Sequence, residues 1–328
     1  MKDYSSAKKA LNGVLAFLSA CKFLLLLTSL LSGTVLLSIL KIFLGNDAEI
    51  ALETFNSYDS LAGLLFNIAV SILCLFVPIA LYFVFTGRRL RDTASGAAPE
   101  FLQICYGVGA TVTIGNVTAS ASNTFFLLLF TVFGMEEKFY ALAQSDTTYP
   151  TTLWGAVLFA ILLAVLPGFL EEVVMRGISL NVTKRLGTAF SLVFSGFFFG
   201  LMHSSFLQLP YAFVLGIVLA YFTLKFKTIW IAIISHFLFN FSSAIQALIL
   251  QNCGDYGTLL SMVWMLLFNS LMTGLFVAGL IVYGVKKPDN PKSEFSFGEK
   301  MKMLFTSPFL YVFCVTAIAH LILILVLI

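Results

Sequence analysis

Apolar runs of about twenty residues, nearly free of acids and bases, recur along this chain from its first fifty residues to its last twenty. About 20 apolar residues in a helix cross a hydrocarbon core of about 30 Å, so each run is read as a spanning helix. Composition points the same way. Of 328 residues, 59% are hydrophobic and 11% charged, whereas about a quarter of a soluble domain is charged. The excess is spread over the whole chain, which excludes a soluble enzyme carrying one anchor. The expected fold class is therefore all-α, a polytopic transmembrane helical bundle.

The runs place spans near 23–44, 61–86, 102–133, 152–175, 188–205, 209–226, 228–250, 258–285 and 307–328, nine in all with a margin of one. The first is too long for the apolar region of a signal peptide and has no evident cleavage site, so it is read as an uncleaved span. The third is rich in Gly, Ser, Thr and Ala between Gly107 and Asn123, which suits close helix packing or a bent segment within a bundle.

Lysine and arginine usage orients the chain. A cytoplasmic N-terminus puts 16 of the 19 bases inside, among them Lys2, the Arg88, Arg89 and Arg91 group, and the run from Lys286 through Lys292 to Lys302. Only Lys138 falls outside, with acids such as Asp47, Glu49, Glu137, Asp146 and Asp255. Lys22 and Lys41 then sit near the ends of the first span, where they would snorkel. The scattered bases form no nucleic-acid surface. The five cysteines lie far apart without a C-x-x-C pair and read as small hydrophobes.

Charged groups inside a span cost several kcal/mol unless paired or hydrated, and they mark function by default. Glu171 and Glu172 follow the apolar stretch from Trp154 to Leu170 and precede Val173, Val174 and Met175. Arg176 lies one turn beyond Glu172, so the two are expected to pair. Glu171 points about 100° away around the helix and stays free. Pro167 removes a donor from the same helix and can kink it beside the carboxylates. A competing reading makes the glutamates the membrane boundary, with the helix ending there.

The following runs weaken that alternative. Gly187 marks a turn, and Glu171 and His203 lie equally far from it on either side, so an antiparallel pair brings them to one depth, about 24 Å from the turn. Gly196 and Gly200 share the face of His203 and permit close helix approach. His236 and Asn240, at i and i+4, face one way about 13–20 Å from the start of their span near Lys227, and Ser243 extends that stripe. Three helices thus present polar residues at about one level.

Written in order, the residues are Glu171-Glu172-x-x-x-Arg176, Phe199-x-x-x-His203 and His236-x-x-x-Asn240. This set resembles the CPBP family of intramembrane proteases, which includes the CAAX prenyl endopeptidases and bacteriocin-processing or immunity proteins. The resemblance covers roughly 150–245 and implies endopeptidase activity on a membrane-associated peptide or protein substrate. It divides the chain into an N-terminal transmembrane scaffold (1–149), catalytic core helices (150–250) and a C-terminal scaffold (251–328).

The chemistry of these residues gives the expected roles: Glu171 with His203 activates water, His236 and Asn240 donate to the oxyanion, and Arg176 holds Glu172. The two glutamates can exchange roles. No cofactor is required in this reading. A zinc alternative takes Glu171, His203 and His236 as ligands, though the zincin spacing is absent. Other expectations are the lipid bilayer as environment, no nucleic-acid partner, and a multi-pass bacterial cell membrane protein, with the endoplasmic reticulum as the other location. The rival functions are a proton-coupled transporter and a non-catalytic immunity or scaffold protein. His320, in the last span with no charged neighbour within a turn, reads as a packed residue.

Overall fold

The computed structural model describes residues 3–31, 36–89, 96–143, 149–288 and 293–327. Lys2, Arg91, Asp146 and Lys292, counted in the orientation argument, lie outside the described residues. Regular structure among the described residues is helical: α1 Tyr4–Leu30, α2 Leu36–Leu44, α3 Ala48–Asn56, α4 Leu61–Thr86, α5 Phe101–Val132, α6 Glu136–Ala143, α7 Leu153–Leu186, α8 Thr188–Met202, α9 Leu209–Phe226, α10 Trp230–Asn252, α11 Gly257–Tyr283, α12 Phe297–Phe305 and α13 Pro308–Leu327.

Eight of these are long and apolar enough to cross a membrane, and α8 is a shorter apolar helix. The chain is a polytopic helical bundle. Its outward residues are themselves apolar, with Phe85, Ile281 and Val326 well exposed. A bilayer-facing surface has this character, and a water-facing one does not.

Local chemistry sets the helix ends. Asp3 caps α1 by accepting from the Ser6 N–H at 2.9 Å, and Ser60 does the same for α4 through Gly63. Capping boxes at Glu100/Gln103 and Ser296/Glu299 open α5 and α12. Gly87, in the left-handed region at φ +64°, closes α4.

Three span expectations need correcting. The first apolar run is divided: α1 begins at Tyr4 and ends at Leu30, and α2 begins at Leu36. Ala7, Leu11, Val14, Leu15 and Leu18 recur at helical spacing and are buried, so burial of that stripe extends α1 back toward the N-terminus. Lys22 continues the same stripe. It is completely buried and does not snorkel from a span end.

The span expected at 152–175 runs on to Leu186, because Val173 to Leu180 are all buried and give the helix no reason to stop. The span expected at 188–205 ends at Met202; its fifteen residues reach about 22 Å. The third run, by contrast, is one unbroken helix, and its small residues serve close packing. A Cβ on Gly109 would lie 2.6 Å from the Met272 carbonyl of α11, and one on Gly115 would lie 2.6 Å from the Phe239 ring of α10.

The helices that position the polar residues are central. α8 packs along α9, α10 lies against α5 and α7, and α1 packs on α13 at one side. One large apolar cluster joins α1, α7, α8, α9, α10 and α13.

Candidate active site

The acid-bearing helix carries two π-helical segments, Ile161–Val165 and Val173–Ser179, flanking the α-helical stretch Leu166–Glu172. Pro167 stands at the start of that stretch, where its missing N–H interrupts the ladder. The second segment carries Arg176. Such widened turns re-aim side chains and concentrate at functional sites. Glu171 and Glu172 therefore stand well inside a 34-residue helix, and Glu172 is fully buried. The helix does not end at the pair, as the boundary reading required.

Glu172 is anchored twice through one oxygen. The Arg176 Nη1 donates to Glu172 Oε1 at 2.8 Å, as the four-residue spacing predicts. The His236 Nδ1 donates to the same oxygen at 2.9 Å. Arg176 also donates from Nη2 to the Gly216 carbonyl at 3.1 Å, and its guanidinium lies 4.6 Å from the centroid of Phe199. Phe199 in turn meets the His203 and His236 rings edge-on, at 4.9 and 5.6 Å between centroids. One phenyl ring thus touches the arginine and both histidines. Buried charges are tolerated when paired and hydrogen-bonded in this way.

Close backbone approach makes the assembly possible. A Cβ on Gly216 would fall 2.7 Å from the Gly196 Cα and 2.9 Å from the Phe199 Cβ. A Cβ on Gly168 would meet the Phe237 backbone nitrogen at 3.0 Å. Glycines therefore seat α9 on α8, and α7 on the helix that carries His236.

His203 does not continue α8. It caps the helix in an extended conformation (φ −72°, ψ 136°), and its backbone N–H donates to the Gly200 carbonyl. Its Nδ1 lies 2.8 Å from the Phe199 carbonyl oxygen. A carbonyl oxygen only accepts, so Nδ1 carries the hydrogen, and in the neutral ring Nε2 keeps a lone pair. The bond from His236 Nδ1 to Glu172 gives that neutral ring the same polarity. Neither Nε2 has a hydrogen-bond partner among the described residues.

Glu171 is half-buried, and its Oε2 is enclosed without a hydrogen-bond partner. It lies within Coulombic reach of His203, although no hydrogen bond joins the two. Asn240, one turn beyond His236, is half-buried and likewise bonds to no described residue. The structure therefore draws Glu172, Arg176 and His236 into one network through Glu172 Oε1, with Glu172 Oε2 and Arg176 Nε enclosed and unpartnered, and leaves Glu171, His203 and Asn240 outside that network.

Zinc needs three or four donors converging at about 2.0–2.3 Å. No group of three or more His, Cys, Asp or Glu side chains is so gathered among the described residues, and Glu172 Oε1 is already shared by two donors. As placed, Glu171, His203 and His236 do not form a metal cage.

Sequence reasoning missed Gly216 and Lys22. Gly216 follows no acid or histidine, and only its position opposite Gly196 gives it meaning. Lys22 lies on the buried stripe of α1, and that periodicity was the available signal; its Nζ donates to the carbonyl of Met202, the residue before His203.

Residues 153–242 match the model of the Rce1-like family, the type II CAAX prenyl endopeptidases. The matched segment is under a third of the chain and holds Glu171, Glu172, Arg176, Phe199, His203, His236 and Asn240. Neither a curated protein nor a solved structure matches the chain.

Proposed function

We propose that this membrane protein, whose residues 153–242 form an Rce1-like domain, is an intramembrane endopeptidase that hydrolyses a peptide bond of a membrane-associated substrate with a water activated by Glu171 and His203. The observation that carries this reading is the division of labour between the adjacent carboxylates. Glu172 is tied through Oε1 to Arg176 and His236, whereas Glu171 bonds to no described residue and lies within Coulombic reach of His203.

In the proposed step, water between Glu171 and His203 gives a proton to the Glu171 carboxylate as its oxygen attacks the scissile carbonyl carbon. The C=O π electrons move to the carbonyl oxygen, which becomes the oxyanion. The Asn240 amide can donate to it. His236 can donate from Nε2 in its imidazolium form, since its Nδ1 is tied to Glu172. Collapse of the intermediate breaks the C–N bond, and the proton held by Glu171 passes to the departing nitrogen. His203, pinned through Nδ1, accepts a hydrogen bond from the water at Nε2. Glu172 and Arg176 fix the geometry and exchange no proton.

The family description supports a C-terminal prenylated segment as substrate, the Lys/Arg distribution supports a cytoplasmic N-terminus, and a bacterial cell membrane is the location we propose. The test is cleavage by the full-length protein in lipid nanodiscs of an internally quenched peptide, offered with and without an S-farnesyl cysteine, alongside Glu171→Gln and a chelator-treated sample. We expect cleavage of the farnesylated peptide that is lost in Glu171→Gln and retained after chelation. Equal cleavage by Glu171→Gln rejects the assignment, and loss on chelation with recovery on zinc rejects the metal-free step.

A further inference from the structure

The C-terminus of α8 ends inside the bundle, a costly place for a helix to stop. Its last carbonyls have no partners within the helix, and hydrocarbon supplies none. Three are answered by neighbouring donors. The His203 ring answers Phe199, the His203 backbone answers Gly200, and the third donor comes from the other side of the molecule. Lys22, about two turns from the end of α1 and fully buried, donates from Nζ to the Met202 carbonyl at 3.1 Å, with the Ser204 hydroxyl at 3.4 Å. A basic group at this end also complements the helix dipole.

Lys22 has no acidic partner among the described residues. Its surroundings are hydroxyl and imidazole groups: Ser204 Oγ lies 2.9 Å from His320 Nδ1, and His320 Nε2 lies 2.8 Å from Ser29 Oγ. The residues that this lysine grips, Met202 and Ser204, bracket His203. An intramembrane lysine needs such a reason to be retained.

We infer that Lys22 is a positioning residue for His203: by holding Met202 and Ser204, it fixes the turn that carries the imidazole, with His320 and Ser29 bracing Ser204 from α13 and α1. The role rests on the proposed proteolytic reading for its effect on rate, but not for its effect on the turn.

The test compares full-length Lys22→Met, Lys22→Arg and Ser204→Ala in nanodiscs by kcat and KM on the farnesylated quenched peptide, by thermal unfolding, and by hydrogen exchange of residues 203–208. Lys22→Met should lower kcat on the order of 10- to 100-fold, the scale of a misplaced catalytic group, with KM within about twofold. It should also speed exchange of the turn. Lys22→Arg should recover most of the kcat, and Ser204→Ala should lose a few-fold in kcat, roughly what one weakened hydrogen bond costs.

A wild-type kcat in Lys22→Met overturns the inference whatever exchange shows. So does an Arg variant as slow as Met that loses the same thermal stability, since that pattern is scaffolding alone. If Lys22→Met does not fold, an unchanged kcat in Ser204→Ala overturns it. If the wild type cleaves no peptide, the proteolytic reading fails, and exchange of the turn in the variants alone decides whether Lys22 holds it.

Discussion

Two polar clusters are buried in this bundle, and they are built on opposite plans. The one between α7, α8 and α10 balances its charges: a carboxylate, a guanidinium and an imidazole meet at Glu172 Oε1. The one between α1, α13 and the turn after α8 has a single lysine and no acid among the described residues, the lysine being held by a carbonyl and a hydroxyl. In the first, each helix brings its residues at four-residue spacing. In the second, the partners are 116, 182 and 291 positions apart. The first cluster is a motif, and the second exists only once the chain is folded. Both end on His203 or on the turn that carries it.

Replacing Glu171 by Gln tests the first cluster most severely. Cleavage should fall about 10³-fold, ~4 kcal/mol of barrier, while the unfolding temperature holds, because the Glu171 Oε2 bonds to nothing. Arg176→Met should do the reverse, lowering stability by about 3–5 kcal/mol through an uncompensated buried Glu172. Unfolding in denaturant, read beside activity, checks this, and a stable, folded Met variant would show that Glu172 does not depend on its partner. Gly216→Ala should cost about 1–3 kcal/mol by overpacking and move Phe199, so that the His203 ring loses its neighbour. His320→Gln, in the second cluster, should cost about 1 kcal/mol, and an effect as large as that of Arg176→Met would erase the contrast between the clusters.

Much of the first cluster was legible beforehand because helical periodicity converts spacing into direction. The Glu172–Arg176 pair and the turn at Gly187 follow from counting residues. The bond from His236 to Glu172 does not, since no rule of spacing says which of two adjacent carboxylates faces a helix sixty residues away. Nor did counting show that His203 leaves the helix to cap it. Lys22 was misplaced because apolar content alone set the first span at 23–44. The amphipathic stripe from Ala7 to Leu18 starts that helix earlier and puts Lys22 well inside it, about two turns from its end. Hydropathy locates what is apolar, whereas periodicity locates what is buried, and the two diverge where a basic residue interrupts an apolar run.

The central claim is that Glu171 and His203 act on one water as a unit. A double-mutant cycle measures this directly: kcat on the cleaved peptide for wild type, Glu171→Gln, His203→Ala and the double variant, all confirmed folded. Groups acting as a unit are grossly non-additive, so the double variant should be no slower than about twofold below the slower single variant. Losses that multiply across the cycle would show two independent contributions and contradict the shared water.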